Sequence, residues 1–257
     1  MISKLIGQNN RSLRQARIAI SMFFLVNGIV TASLPTRLPT IQANLALSSG
    51  QLGFALLSTT LSGLIAMNIA GRIAKHRSGR LIMTVAAITM ATALALLAFA
   101  PNLPLLIVGL ILFGIGSGAM DIMMNIEGAE IEEAWGQPIF NSFHACFSIG
   151  GLIGAFLGNL LAAQNILPEI HFSAITLLCC GCILWSSRFF LRPKPVQKAA
   201  PSTSKKRLAG YFSPTVILLS LIAFSALLSV GAMFDWSALY LSTTIHSGAG
   251  PAATGFV

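Results

Sequence analysis

The chain has 257 residues, of which 55% are hydrophobic and only 9% charged, and its mean hydropathy is +0.80. A soluble domain carries roughly 25% charged residues, so the composition excludes one and predicts an all-α, polytopic membrane protein. The net charge of +9 does not indicate a nucleic-acid partner, because the Lys and Arg residues lie in the gaps between apolar runs and not along one helix face.

Seven apolar runs are long enough to cross a bilayer, which takes roughly 17–25 residues: 18–34, 51–70, 81–100, 103–126, 139–163, 172–191 and 216–241. The first follows Lys4, Arg11, Arg14 and Arg17 and ends near small residues at 31–33, a pattern that also fits a signal peptide, whose removal would leave six helices. Ser48 and Gln51 form an S-x-x-Q capping box that starts the second helix. Asn102 is placed to cap the fourth, Pro138 suits the first turn of the fifth, and Ser213 with Pro214 opens the seventh.

The stretch 114–133, GIGSGAMDIMMNIEGAEIEE, puts a carboxylate where an apolar helix should have none. Gly114, Gly118, Asp121, Asn125, Gly128 and Glu132 recur at helical spacing as one stripe. An ionised side chain facing lipid costs roughly 2.5–3.5 kcal/mol, so Asp121 should face a bundle interior or a watery cavity. In the fifth run Gly150, Gly154 and Gly158, spaced by four, let another backbone approach closely. Cys146, Cys179, Cys180 and Cys182 all lie in apolar runs without His or carboxylate at ligand spacing, so they read as packing residues, with no disulfide framework and no metal site.

Residues 192–211, RPKPVQKAAPSTSKKRLAGY, cannot bury enough apolar area to fold and read as a linker. The expected organisation is a six-helix domain over 1–191, a linker over 192–212, and over 213–257 the seventh helix with the beginning of a further element. The chain stops in mid-element, which reads as a truncated sequence. Lys and Arg in the gaps total fifteen on one side of the membrane and one, Arg37, on the other. By the positive-inside rule the amino terminus is cytoplasmic.

Six helices, a basic central loop and a second block beginning at the seventh helix resemble the major facilitator superfamily, whose halves are six-helix repeats. Within it the chain most resembles the fucose/proton symporter branch and its bacterial inner-membrane relatives. Gly116, Gly118, Asp121 and Asn125 fit the fourth-helix pattern G-x-G-x-x-[DE]-x-x-x-N, which implies that Asp121 is the proton-linked group. Residues 231–237, GAMFDWS, resemble a G-A-M-x-D-W-S motif at the outer end of helix seven, and 150–155, GGLIGA, a glycine-rich fifth helix. The loop between helices two and three departs from G-x-x-x-D-R-x-G-R: Gly71, Gly79 and Arg80 match in kind, but Lys75 and His76 replace the Asp and Arg of the inward latch. The first helix also lacks the acid of the branch's sugar symporters.

These readings give Asp121 a role in proton coupling, since a carboxylate in a low-dielectric cavity can hold a proton and release it when water or a cation arrives. His144, two turns into the fifth helix, is a relay candidate or a satisfied structural histidine. Asn27 near the midplane and Asn125 one turn beyond Asp121 are candidates for the substrate cavity, or for interhelical hydrogen bonds. Asp235, Trp236, Gly71 and Arg80 are gate candidates, Trp236 otherwise an interfacial aromatic.

The expected function is secondary transport of a small polar solute such as a sugar, with protons and the lipid bilayer as further partners and no cofactor. The alternative is a non-transporting fragment of such a carrier. An enzyme is disfavoured: residues 116–118, GSG, lack the glycine that an intramembrane serine protease needs at Ile115. The expected location is the bacterial inner membrane, and the expected oligomeric state is a monomer.

Overall fold

The structure is a computed structural model and describes residues 2–189 and 213–245. Eight α-helices run in order: α1 Ile2–Ser33, α2 Leu38–Asn44, α3 Ser49–Ile73, α4 Gly79–Ala98, α5 Leu103–Trp135, α6 Phe140–Ala163, α7 Pro168–Ser186 and α8 Pro214–Thr243. No strand occurs among the described residues. The helices fall in seven spans long and apolar enough to cross a membrane, the first of which, Ser12–Asn44, takes in both α1 and the short α2. The linker and the last residues of the chain lie outside the described residues.

Local chemistry accounts for the helix ends. Ser48 and Gln51 make the reciprocal capping box at the start of α3, and the Asn102 and Ser213 side chains accept from Leu105 N–H and Val216 N–H. Gly136, at φ +74°, ends α5 in the left-handed conformation that glycine adopts without strain. The start of α6 differs from the sequence expectation. Pro138 lies before the helix, and the free amides of Ile139 and Phe140 donate instead to Glu132 Oε2 of α5, at 2.7 and 2.5 Å. The helix α7 begins four residues before the apolar run, because Pro168 fits its first turn, where an N–H would lack a partner anyway. A 3-10 turn, Pro35–Arg37, joins α1 to α2.

Two helix pairs set the architecture, α1 with α6 and α3 with α5, and each is a close backbone approach made by glycines. Gly150 lies against the Leu25 carbonyl, Gly154 against Ile29, Gly158 against Thr36, and Gly28 against the Phe147 carbonyl. Across the second pair Gly118 faces the Gly63 carbonyl, and Gly114 faces Thr59 and Ser62. The helix α4 packs on α5 through Gly116, which meets Ala86 and Met90, and on α7, where the buried Thr176 hydroxyl donates to the Ala91 carbonyl at 2.6 Å. Phe23, Phe24, Phe143, Phe172 and Leu94 fill the space between these pairs.

The amino-terminal end of α1, the α3–α4 turn and the α5–α6 turn lie at one end of the bundle, the basic end. The Pro35–Arg37 turn lies at the other.

Lipid supplies no hydrophobic drive between helices, so these contacts depend on packing at van der Waals distance. Gly150→Ala should therefore lower stability by about 1–3 kcal/mol, the range for overpacking a tight core. At its neighbour, Gly151→Ala adds a methyl that meets nothing within 4 Å, so stability should change by less than about 0.5 kcal/mol. Thermal unfolding of the two variants in one detergent checks the contrast.

Candidate functional site

Asp121 stands eighteen residues after Leu103, roughly 27 Å along the axis at 1.5 Å per residue. The stripe to which it belongs serves several purposes. Gly114 and Gly118 pack on α3, Gly128 packs on Phe140 and Phe143 of α6, and Glu132 caps α6. Between them Asp121 and Asn125 are half-buried. Asn125 Nδ2 donates to the Asp121 carbonyl at 2.8 Å and to its Oδ1 at 3.3 Å. One carboxylate oxygen is thus oriented by its own helix.

Across the helix boundary His144 of α6 lies within electrostatic range of Asp121. His144 is exposed, and its ring is fixed from behind by Phe24 and Phe140, each with a centroid 5.2 Å away. Phe24 in turn stacks on Phe143 at 5.7 Å. Packing thus holds a titratable imidazole toward a carboxylate on another helix. Asn27 is 4% exposed and donates to Met124 Sδ at 3.6 Å, while its Oδ1 accepts from Thr31 Oγ1 at 3.3 Å. Its amide joins α1 to α5 and bonds to Met124 and Thr31, not to Asp121.

The structure adds two residues that sequence reasoning missed, Asn141 and Ser148 of α6. Asn141, Ser148, Ala155 and Ala162 recur every seven residues on α6 and share one side with His144. Toward the basic end that side is polar and exposed, at Asn141, His144 and Ser148. Toward the other end it is small and buried, at Ala155 and Ala162. The signal in the sequence was this change from polar to small residues at seven-residue spacing.

At the basic end Glu127 of α5 lies against Gly79, the first residue of α4, where a carboxylate is favoured by the helix dipole. An acid from α5 thereby occupies the region of the α3–α4 turn, which itself carries Lys75, His76 and Arg77, all exposed. Gly71 lies against Ile122 of α5, and Arg80 is half-buried in the first turn of α4. At the other end Trp236 of α8 is seated on Gly53, where an added Cβ would be 3.3 Å from the indole. Asp235 beside it is half-buried. Ala238 and Leu239 are the buried residues of α8, which rests on α2 and the Pro35–Arg37 turn and exposes its opposite half. A cavity of about 360 Å³ at this end, between α2, α4 and α7, is lined by Asn44, Phe99 and Glu169 among others and contains none of the acid-face residues.

Paired membrane-length helices around an intramembrane acid define a polytopic helical membrane protein. Residues 18–257 match the Major Facilitator Superfamily model, and the chain belongs to that superfamily. It is 30% identical over 236 residues to an uncharacterised transporter of Sinorhizobium fredii, covering 91% of this chain and 61% of that protein. It is 25% identical to an uncharacterised MFS-type transporter of Yersinia pestis, covering 88% and 58% of the two chains. It is 26% identical to the membrane protein MosC of Rhizobium meliloti, covering 87% and 53%. The chain thus spans little more than half the length of the curated relatives it matches.

In a background with the native cysteines replaced, Asn141→Cys and Ser148→Cys should react with a membrane-impermeant maleimide supplied from the basic end. Ala155→Cys, on the same side but buried, should react much more slowly. Equal rates at all three positions would show that no water-filled face exists on α6.

Proposed function

We propose that the protein is a secondary transporter of a small polar solute such as a sugar, working by alternating access, with Asp121 as the proton-carrying group. The observation that carries this reading is the half-buried Asp121. Asn125 holds one of its oxygens, and the exposed His144 acts on it from the facing helix. A carboxylate so placed can exchange a proton with an imidazole or with solute-borne water inside a low-dielectric wall. Asn125, Asn141 and Ser148 offer hydroxyl and amide groups to a polar solute. Asn27 contributes by fixing α1 against α5.

The basic end is cytoplasmic in this reading, as the distribution of Lys and Arg requires, and the membrane is the bacterial inner membrane. The seat of α8 at the opposite end, through Trp236 on Gly53, then makes this an inward-facing arrangement. Asp235 and Trp236 belong to the outer gate, and Gly71, Arg80 and Glu127 to the inner one. Alternating access needs a second bundle that rocks against the first, and α8 is where such a bundle meets this one. The solute and the proton are the ligands, and the carrier acts as a monomer in the bilayer.

Uptake of the solute into proteoliposomes should rise when the outside is acidified. In Asp121→Asn the uptake should lose that dependence on pH, and His144→Gln should flatten it in part. A pH profile unchanged in Asp121→Asn removes this residue from the mechanism. Solute counterflow that survives in the same variant would retain the carrier and locate the proton elsewhere.

A further inference from the structure

The end of the bundle away from the basic turns holds a buried polar cluster that the acid face does not use. Arg37 closes the turn between α1 and α2 and is 2% exposed, and His171 in the first turns of α7 is 1% exposed. Arg37 Nε–H donates to His171 Nδ1 at 3.2 Å. A guanidinium remains charged and accepts nothing, so the accepting Nδ1 makes His171 the neutral tautomer with its proton on Nε2. Glu169, two residues earlier on α7, is near enough for its charge to act on Arg37. Nevertheless Arg37 Nη2, His171 Nε2 and Glu169 Oε2 are all buried without a hydrogen-bond partner. A buried unmet donor or acceptor is costly, more so when it is charged. Two of these three belong to opposite charges that can satisfy each other.

The turn that carries Arg37 is also the seat of α8. Thr36 is held against Gly158 of α6, and α8 rests on the turn and on α2. Arg37 thus lies in the turn that α8 contacts. Glu169 lines the cavity between α2, α4 and α7, which gives its side chain room to turn. The planar fork of a guanidinium can serve two partners with little movement of the backbone.

We propose that Arg37 is a two-position latch for α8, hydrogen-bonded to His171 while α8 rests on the turn and ion-paired with Glu169 once α8 leaves it. The latch rests on the alternating-access reading, in which α8 takes two positions, and it supplies a distinct partner for each. In the seated state the turn keeps the guanidinium on His171 and leaves a donor and a carboxylate oxygen unmet. Release of the turn lets that pair close, so the ion pair favours the outward-open arrangement by the free energy it gains only there.

Spin labels at Asn44→Cys and Tyr240→Cys, both exposed in the seated state, report the α2–α8 distance in nanodiscs once the native cysteines are replaced. The otherwise unmodified protein should show a short and a long population. Glu169→Gln should shift their ratio about tenfold toward the short distance, and His171→Leu about tenfold toward the long one, each change being the equivalent of roughly one charge-assisted hydrogen bond. Opposite signs distinguish a latch from general destabilisation, which would move both variants the same way. A single population in the parent protein, or two variants that move together or not at all, overturns the latch. Solute uptake present in the parent with unmoved populations overturns the latch alone, whereas uptake absent from the parent overturns the carrier reading whatever the distances show.

Discussion

The contact on which the rest of the structure depends is the approach of backbone to backbone where glycines remove the side chain. α1 meets α6 through Gly28, Gly150 and Gly154, the turn after α1 meets α6 at Gly158, and α3 meets α5 through Gly63, Gly114 and Gly118. In lipid, helices gain nothing by hiding apolar surface from each other, and the dispersion contact of closely matched surfaces holds them. Such a contact has a single register. A helix that must present three glycines to its partner has no freedom left to rotate, so its remaining faces point in fixed directions. The direction of Asp121 follows from Gly114 and Gly118 packing on α3, and that of His144 from Gly150 and Gly154 packing on α1.

Apart from the Arg37–His171–Glu169 cluster, the polar groups named here fall into two kinds. Asn27, Thr176 and Ser33 are buried and spend their hydrogen bonds on other helices or on their own backbone, as groups without access to water must. Asp121, Asn125, His144 and Asn141 are only partly covered, and they gather toward the basic end, on the sides of α5 and α6 that packing leaves open. Two of the acids beyond Asp121 have structural work: Glu127 sits on the first turn of α4 and Glu132 closes the first turn of α6. A cation–π contact at 4.7 Å from Arg17 to Trp135 joins α1 to α5 at the same end.

The six-helix block and α8 meet over a small area confined to one end. A short footing of this kind suits an element that must leave and return, because few contacts have to break. The buried charge of Arg37 lies under that footing.

The sequence by itself determined the class of protein, the seven spans, the caps at Ser48, Asn102 and Ser213, and the acid of the fourth span. Each is a local property: apolar length, capping chemistry, or the cost of a charge in lipid. The sequence also carried the spacing of the fifth-span glycines. It did not say that they meet α1, that the acidic stripe is divided between α3 and α6, or that Glu132 and not Pro138 organises the start of α6. It placed Arg37 as a lone basic residue between spans and gave no sign of His171 as its partner, 134 positions away. Only the tertiary structure decided these, because which residues of two helices face each other depends on the register of their closest contact, and that register is a property of both surfaces together.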